Sequence, residues 1–316
     1  MFKVLSLCVG GFLLTQCASP KAMKSPTIKL DSANFHTFDG DTLHYTKWDA
    51  QQKTETVIIA VHGISGAISD FRPLANHTLE NLPKVAIYGA ETRGQGKDPI
   101  KERRGHIRDR QDWFRDLTTF TSLVRKKHPQ AKIVWCGESM GSLIVLHSYA
   151  YAEDRENLCD ALILSSPIVN IRGDFPRWKI SAVNTIAWLF PRIRISLESL
   201  GGNDEVRVTK DTIHTEQANT NSYHVKKHTL KLLTTLGNMM LTSKQASQKL
   251  NVPTLILHAG KDVFSDPKDV ESFIKGIPKS APVTEKFYEE SYHLLFHDHQ
   301  SDLVVSDIAA WVKKLK

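Results

Sequence analysis

A serine between two glycines is the feature of this sequence most able to do chemistry. Residues 132–141 read KIVWCGESMG, so Ser139 lies in a Gly-x-Ser-x-Gly pattern with Gly137 and Gly141. The pattern follows an apolar run that predicts a strand and precedes a stretch with helical spacing, which is the context of a nucleophile elbow. Such a sharp turn strains the serine backbone and leaves no room for side chains two residues away. We therefore predict that Ser139 is a nucleophile rather than a small residue in an ordinary turn.

A serine hydroxyl is a weak nucleophile, so it needs a base and a group that orients the base. In sheets that carry such an elbow, an acid and then a histidine follow the serine in the chain, each after a later strand. Asp262 follows the penultimate predicted strand, and His293 follows the last one. The order predicts a triad of Ser139, Asp262 and His293, with Asp266 as the main alternative acid.

Two further histidines, His297 and His299, follow His293 closely. His293 is nearest to the strand end, whereas the other two would be carried away as the chain enters its final helix. His293 and His297 could also form a zinc-binding pair on one helical face. However, Leu294 stands where a zinc protease of the HExxH type has its glutamate. We predict that His293 is the base, and we expect neither a metal nor an organic cofactor.

A hydrolytic serine also needs backbone N–H groups that stabilise negative charge on the substrate oxygen. Met140, which directly follows the nucleophile, supplies the first of these groups. The second should come from the loop after an earlier strand, and His62, Gly63 and Ile64 follow such a strand. The position predicts that the Ile64 amide is the second donor, and a simple glycine turn is the alternative.

Short apolar runs that alternate with helical stretches must position these residues. Near-continuous apolar strands are typical of a parallel sheet covered by helices on both faces. The sequence therefore predicts a doubly wound, mostly parallel α/β fold. A strand-turn-strand unit at 34–48 comes before the alternating part of the chain. The predicted strands are 57–61, 85–88, 133–136, 161–164, 254–257 and 283–288, and the predicted helices are 111–128, 140–152, 267–275 and 301–314.

One insertion interrupts this alternation at about residues 168–250. Its first part places Ile180, Val183, Ala187 and Phe190 on one helical face. An insertion in this position is predicted to form a helical cap over the strand ends, where ligands bind in this architecture. The apolar face could line an acyl pocket or rest on a membrane, or it could only bury the cap against the body.

The N-terminus is typical of a secretion signal. Lys3 precedes an apolar run over residues 4–14, which is too short to span a bilayer as a helix. Residues 14–17 read LTQC and resemble the lipobox of a bacterial lipoprotein, in which the cysteine becomes the lipid-modified first residue. Gln16 departs from the small residue usual before that cysteine. We expect lipidation at Cys17, with a plain export signal and a retained anchor as the alternatives.

These observations predict the organisation and the cellular location of the chain. We expect an anchored protein of the bacterial cell envelope, or otherwise a periplasmic or secreted one. The net charge of +7 comes from lysines and arginines that are spread along the chain, which is typical of a solvated surface, so no nucleic-acid partner is expected. The predicted units are a signal at 1–17, a linker at 18–32 and one α/β domain at 33–316 that contains the cap.

From about Phe35 to Leu315, the chain resembles an α/β-hydrolase of the monoacylglycerol lipase and lysophospholipase group, which is serine aminopeptidase-like. The resemblance rests on the His62–Gly63 turn, the turn at 93–96, the elbow, the cap and the residues of the triad. Glu138 departs from the histidine that is common in bacterial and animal members, and it resembles the GESMG elbow of plant members.

The resemblance implies hydrolysis of the carboxylic ester of a monoacyl lipid through an acyl-enzyme. Neither a metal nor a cofactor is implied. The alternatives are an esterase or aminopeptidase that acts on a small soluble substrate, and a lipid-binding protein that keeps the fold without turnover. The resemblance implies a monoacyl lipid or another ester as a partner. The lipid anchor expected at Cys17 implies a membrane surface as a second partner.

Overall fold

The computed structural model describes residues 33–153, 155, 158–170, 177–196, 208–209 and 221–315. The predicted signal at 1–17, the predicted linker at 18–32 and the proposed lipidation site Cys17 lie outside these residues. The predictions about them therefore stay predictions.

A twisted sheet of eight strands organises the described chain, in the order β1-β2-β4-β3-β5-β6-β9-β10. Strand β2 is antiparallel to β1 and β4, and the remaining neighbours are parallel. A separate antiparallel pair, β7 with β8, lies in the cap insertion. The strands are β1 (Asn34–His36), β2 (Thr42–Trp48), β3 (Thr56–Val61), β4 (Val85–Ala90), β5 (Lys132–Glu138), β6 (Ala161–Ser165), β7 (Arg194–Ser196), β8 (Lys227–Thr229), β9 (Thr254–Ala259) and β10 (Val283–Tyr288).

Helices cover both faces of the sheet, so the predicted doubly wound α/β fold is confirmed. One apolar core lies between the sheet and α2, α3, α5, α6 and α7, and the other lies between the sheet and α1 and α8. The inner strands are buried on both faces, which explains their near-continuous apolar sequences. The helices are α1 (Arg72–Asn81), α2 (Arg110–Lys127), α3 (Met140–Tyr151), α4 (Arg177–Leu189), α5 (Leu230–Leu241), α6 (Ser243–Ser247), α7 (Pro267–Lys275) and α8 (Ser301–Lys314).

The described part of the insertion differs from the predicted helical cap in two ways. It contains the β7–β8 pair in addition to helices, and helix α4 buries little of its predicted apolar face. Ala187 is buried, whereas Val183 and Phe190 are 41% and 58% exposed. These two side chains therefore do not bury the cap against the body. Within the described chain, no helix is both long enough and apolar enough to cross a membrane.

Candidate active site

The turn between β5 and α3 has the geometry predicted for a nucleophile elbow. Ser139 has φ 55° and ψ −116°, a conformation that is strained for a residue with a side chain. A β-carbon at Gly137 would overlap the backbone of Gly141, and one at Gly141 would overlap the carbonyl group of Val61. Both glycines are therefore required by the close approach of α3 to β5 and β3.

The structure brings Ser139, His293 and Asp262 into one hydrogen-bonded chain. The Nε2 atom of His293 lies 2.8 Å from Oγ of Ser139, and its Nδ1 atom lies 2.7 Å from Oδ2 of Asp262. An ionised carboxylate can only accept, so Nδ1 carries the proton, and Nε2 accepts the hydrogen bond from the serine hydroxyl. This arrangement can remove the hydroxyl proton as the oxygen attacks an electrophile.

Burial and fixed contacts hold the three side chains in this geometry. Each of them is less than 5% exposed. The other carboxylate oxygen of Asp262 accepts from the backbone N–H groups of Phe264 and Ser265, at 2.8 and 3.2 Å. The Phe264 ring also packs edge-on against the imidazole of His293, with a centroid distance of 4.8 Å. The side chains of His293 and Asp262 are thus held in this orientation by the protein itself.

The alternative acid and bases have other partners in the structure. Asp266 is the N-cap of α7, where its side chain accepts from the backbone N–H of Lys268. The Nε2 atom of His297 lies 3.0 Å from the carbonyl oxygen of Asp70, and the ring of His299 contacts Asp298. Among the described residues, no cluster of three or more His, Cys, Asp or Glu side chains has a geometry that could hold a metal ion.

The two residues predicted to form the oxyanion hole lie next to Ser139. Met140 begins α3, and Ile64 follows Gly63, where a β-carbon would lie only 3.4 Å from Cβ of Ser139. The ring of His62 supports this loop, because Nδ1 donates to the Gly63 carbonyl at 2.9 Å and Nε2 accepts from the Thr92 N–H at 3.0 Å. The placement fits the predicted use of both amides, and their role in catalysis stays a prediction.

Glu138, whose role the sequence left unexplained, is buried immediately before Ser139. Its side chain is 1% exposed, and Oε1 has no hydrogen-bond partner in the described part of the protein. Burial raises the pKa of Glu138 well above its usual range, and the Asp70 carboxylate raises it further. We therefore expect Glu138 to keep its proton at pH values where an exposed glutamate is ionised.

Comparisons with known proteins identify a family and support the same fold. The serine aminopeptidase, S33, family of hydrolases matches residues 52–300. The monoacylglycerol lipase of Mycolicibacterium smegmatis is 24% identical over 281 residues, which cover 88% of this chain and 95% of that relative. The monoglyceride lipase of Mus musculus is 22% identical over 304 residues, which cover 95% and 96% of the two chains.

Solved structures also share the fold. A soluble variant of monoglyceride lipase from Saccharomyces cerevisiae, in complex with a substrate analogue, has a TM-score of 0.76 at 22% identity and covers 94% of this chain and 99% of its own. The monoacylglycerol lipase of Paleococcus ferrophilus has a TM-score of 0.70 at 17% identity, with coverage of 87% and 99%. At these identities, the likeness concerns the fold.

The burial of Glu138 predicts how stability depends on pH. Because its folded-state pKa is raised, the folded protein keeps a proton that the unfolded chain releases above its ordinary pKa of 4.5. Stability is therefore lost as the pH rises above that value. Glutamine cannot titrate, so the free energy of unfolding of Glu138→Gln, relative to wild type, should increase with pH by up to about 1.4 kcal/mol per pH unit.

Thermal unfolding of both proteins at about pH 5 and about pH 8 measures this difference. Glu80→Gln, which changes an exposed glutamate on α1, is the matched control and should show no such trend. A constant difference between wild type and Glu138→Gln at the two pH values would show that Glu138 is ionised in the folded protein.

Proposed function

We propose that this protein is a serine hydrolase of monoacyl lipid esters. The premise is that the chain belongs to the serine aminopeptidase S33 family of α/β-hydrolases. The observation that carries the proposal is the buried chain of hydrogen bonds from Asp262 through His293 to Ser139. A residue that only fills a turn would need neither a base nor a group that orients the base.

In the proposed mechanism, Oγ of Ser139 attacks the ester carbonyl carbon while Nε2 of His293 takes the hydroxyl proton. Asp262 accepts from Nδ1–H and stabilises the imidazolium that forms. The amides of Ile64 and Met140 donate to the negatively charged oxygen of the tetrahedral intermediate. When this intermediate collapses, the alcohol leaves with the proton from His293, and the acyl group stays on Ser139.

Water completes the cycle by the same route. His293 takes a proton from the water as its oxygen attacks the acyl-enzyme carbonyl carbon, and a second tetrahedral intermediate forms. Collapse of that intermediate returns the proton to Oγ of Ser139 and releases the fatty acid. The protein then has its starting protonation states.

Two observations support a monoacyl lipid as the substrate. Relatives that align with most of this chain are named monoacylglycerol lipase and monoglyceride lipase. The cap also exposes large apolar side chains, among them Trp178, Trp188 and Phe190 at 68%, 80% and 58%. Such a surface suits a substrate that is presented in a lipid layer. The family description, serine aminopeptidase, favours an aminoacyl substrate as the second candidate.

Substitution of the proposed triad tests the chemistry. We expect Ser139→Ala and His293→Ala to lower kcat for a monoacylglycerol by about 10⁴-fold or more, because the members of a triad act as a unit. Both variants should remain folded in thermal unfolding measurements. A fluorophosphonate probe should label the wild type and the control Ser122→Ala, which changes an exposed serine of α2. Folded wild type without label, or label that persists in Ser139→Ala, would contradict the proposal.

Rates on a panel of substrates test the substrate class. Long-chain monoacylglycerols and lysophospholipids should be hydrolysed with higher kcat/KM than short p-nitrophenyl esters and aminoacyl p-nitroanilides. Faster cleavage of the anilides would instead identify an aminopeptidase, and faster cleavage of the short esters would identify an esterase of soluble substrates.

For the location of the protein, we propose a lipid anchor at Cys17 in a bacterial cell envelope. The support is the sequence LTQC after a short apolar run. In the native bacterium, the wild type should incorporate labelled fatty acid and enter the membrane fraction, whereas Cys17→Ser should do neither. Cys8→Ser, within the apolar run, is the matched control. Unchanged lipid labelling of Cys17→Ser would refute the anchor.

A further inference from the structure

A buried polar cluster joins the cap to the loop that carries Ile64. His228 of β8 is completely buried, and its Nε2 atom lies 3.4 Å from Oγ of Ser65 and 3.4 Å from Oε1 of Gln95. The backbone N–H of Ser65 donates to the same Gln95 oxygen at 2.9 Å. Ser65 directly follows Ile64, so the cap and the 93–96 turn both contact the residue next to the proposed oxyanion donor.

The hydrogen positions in this cluster follow from its donors and acceptors. The Gln95 oxygen can only accept, so Nε2 of His228 must carry a proton and share it between Gln95 and the Ser65 hydroxyl oxygen. Two equally long contacts are typical of a hydrogen bond shared by two acceptors. Burial, together with the charges of His224 and Arg194, lowers the pKa of His228 to about 4, so its ring is neutral near neutral pH.

Ser65 needs such support because its backbone is strained. Its φ of 64° lies in the left-handed region, which residues with a side chain rarely adopt. The hydrogen bond from its N–H to Gln95 therefore fixes a conformation that the serine would not prefer alone. A change in that conformation would reorient the peptide of Ile64.

Strand β8 is itself fixed on the body of the protein. The Thr229 N–H donates to the carbonyl oxygen of Gly105 at 2.7 Å, and the Thr229 hydroxyl lies 3.0 Å from Nδ1 of His106. A β-carbon at Gly105 would overlap the carbonyl oxygen of Lys227, so the strand packs directly on the glycine backbone. Any displacement of β8 from the body would therefore also displace His228.

The same cluster is poorly arranged for stability. Nε2 of Gln95 and Nδ1 of His228 are buried and have no hydrogen-bond partner in the described part of the chain. Unpaired buried polar atoms destabilise a folded protein, and apolar side chains in these positions would not carry that penalty. The cluster therefore contributes little to the stability of the docked cap, but its contacts fix the position of Ser65.

We propose that His228 is a positioning residue that couples the cap to the oxyanion hole. With β8 docked on Gly105, His228 holds Ser65 and Gln95, and the Ile64 amide points at the reacting oxygen. With β8 displaced, the strained loop relaxes and the amide is misplaced. The coupling rests on the proposed function, since it assigns the oxyanion role to Ile64.

Steady-state kinetics on a short p-nitrophenyl ester, which limits contacts with the cap, tests this role. Removal of a whole oxyanion donor lowers kcat by about 10²–10³-fold, so a misplaced donor in His228→Leu should lower kcat by about tenfold with KM nearly unchanged. The midpoint of thermal unfolding should stay the same or rise. His228→Gln, whose amide N–H can replace Nε2–H, should restore kcat, and Lys226→Ala on the exposed side of the same segment is the control.

Two results would overturn the coupling while leaving the proposed function intact. One is an active wild type with unchanged kcat in His228→Leu. The other is a loss of kcat that accompanies a lower unfolding midpoint and is not restored by glutamine, which would indicate a structural contact only. A wild type without turnover would overturn the proposed function and, with it, this role of His228.

A second variant acts on β8 from the body of the protein, at Gly105, which has φ 79° and donates its N–H to the carbonyl oxygen of Gly94 at 2.7 Å. A β-carbon at this φ strains the backbone and would overlap the Lys227 carbonyl oxygen, so Gly105→Ala should displace β8 and the adjoining turn and lower kcat. The double variant with His228→Leu should be no slower than the slower single variant, because both changes break the same link. Additive losses of kcat in the double variant would mean that the two residues act separately and would contradict the coupling.

Discussion

The close approach of helix α3 to the sheet is the constraint on which the rest of the site depends. No β-carbon fits at Gly141 against the carbonyl group of Val61, or at Gly137 against Gly141. The chain can therefore turn from β5 into α3 only through a strained residue, and Ser139 occupies that position with φ 55° and ψ −116°. The strain is offset by the burial of β5 in both apolar cores and of α3 in one of them.

The topology of the sheet then brings the partners to this point. In a parallel sheet, the carboxyl ends of the strands meet at one edge, so loops after β3, β9 and β10 converge on the elbow. These loops carry Ile64, Asp262 and His293. Because the side chains of Asp262 and His293 are buried and hydrogen-bonded, the protein itself orients the imidazole of His293. A low-dielectric surrounding also strengthens each of these interactions.

Much of this arrangement could be predicted from the sequence because the signals are local or follow chain order. Helices α7 and α8 and strand β10 have the predicted bounds, since their spacing and flanking turn residues are clear. Helix α1 was missed because only three of its residues are buried and its apolar stripe is weak. The order of strand, acid, strand and histidine also pointed to Asp262 and His293, which lie in one hydrogen-bonded chain with Ser139. Their catalytic roles stay predictions.

Contacts between distant residues could not be predicted in the same way. The Gln95 side chain meets residues 30 and 133 positions away in the chain, and no local pattern encodes such pairs. The burial of Glu138 could not be predicted either. Buried and exposed residues do not alternate along a strand that is buried on both faces, so the sequence does not indicate the surroundings of one side chain. The apolar spacing of α4 predicted a helix with one apolar face, but spacing alone does not tell which face is covered.

The central claim is that Ser139 forms a covalent bond to the acyl group during turnover. Intact-mass analysis of protein quenched in acid during hydrolysis of a long-chain monoacylglycerol tests it most directly. We expect a fraction of the protein to be heavier by one acyl group, with the modification on the peptide that contains Ser139. Turnover in which that peptide stays unmodified, or in which another residue carries the acyl group, would contradict it.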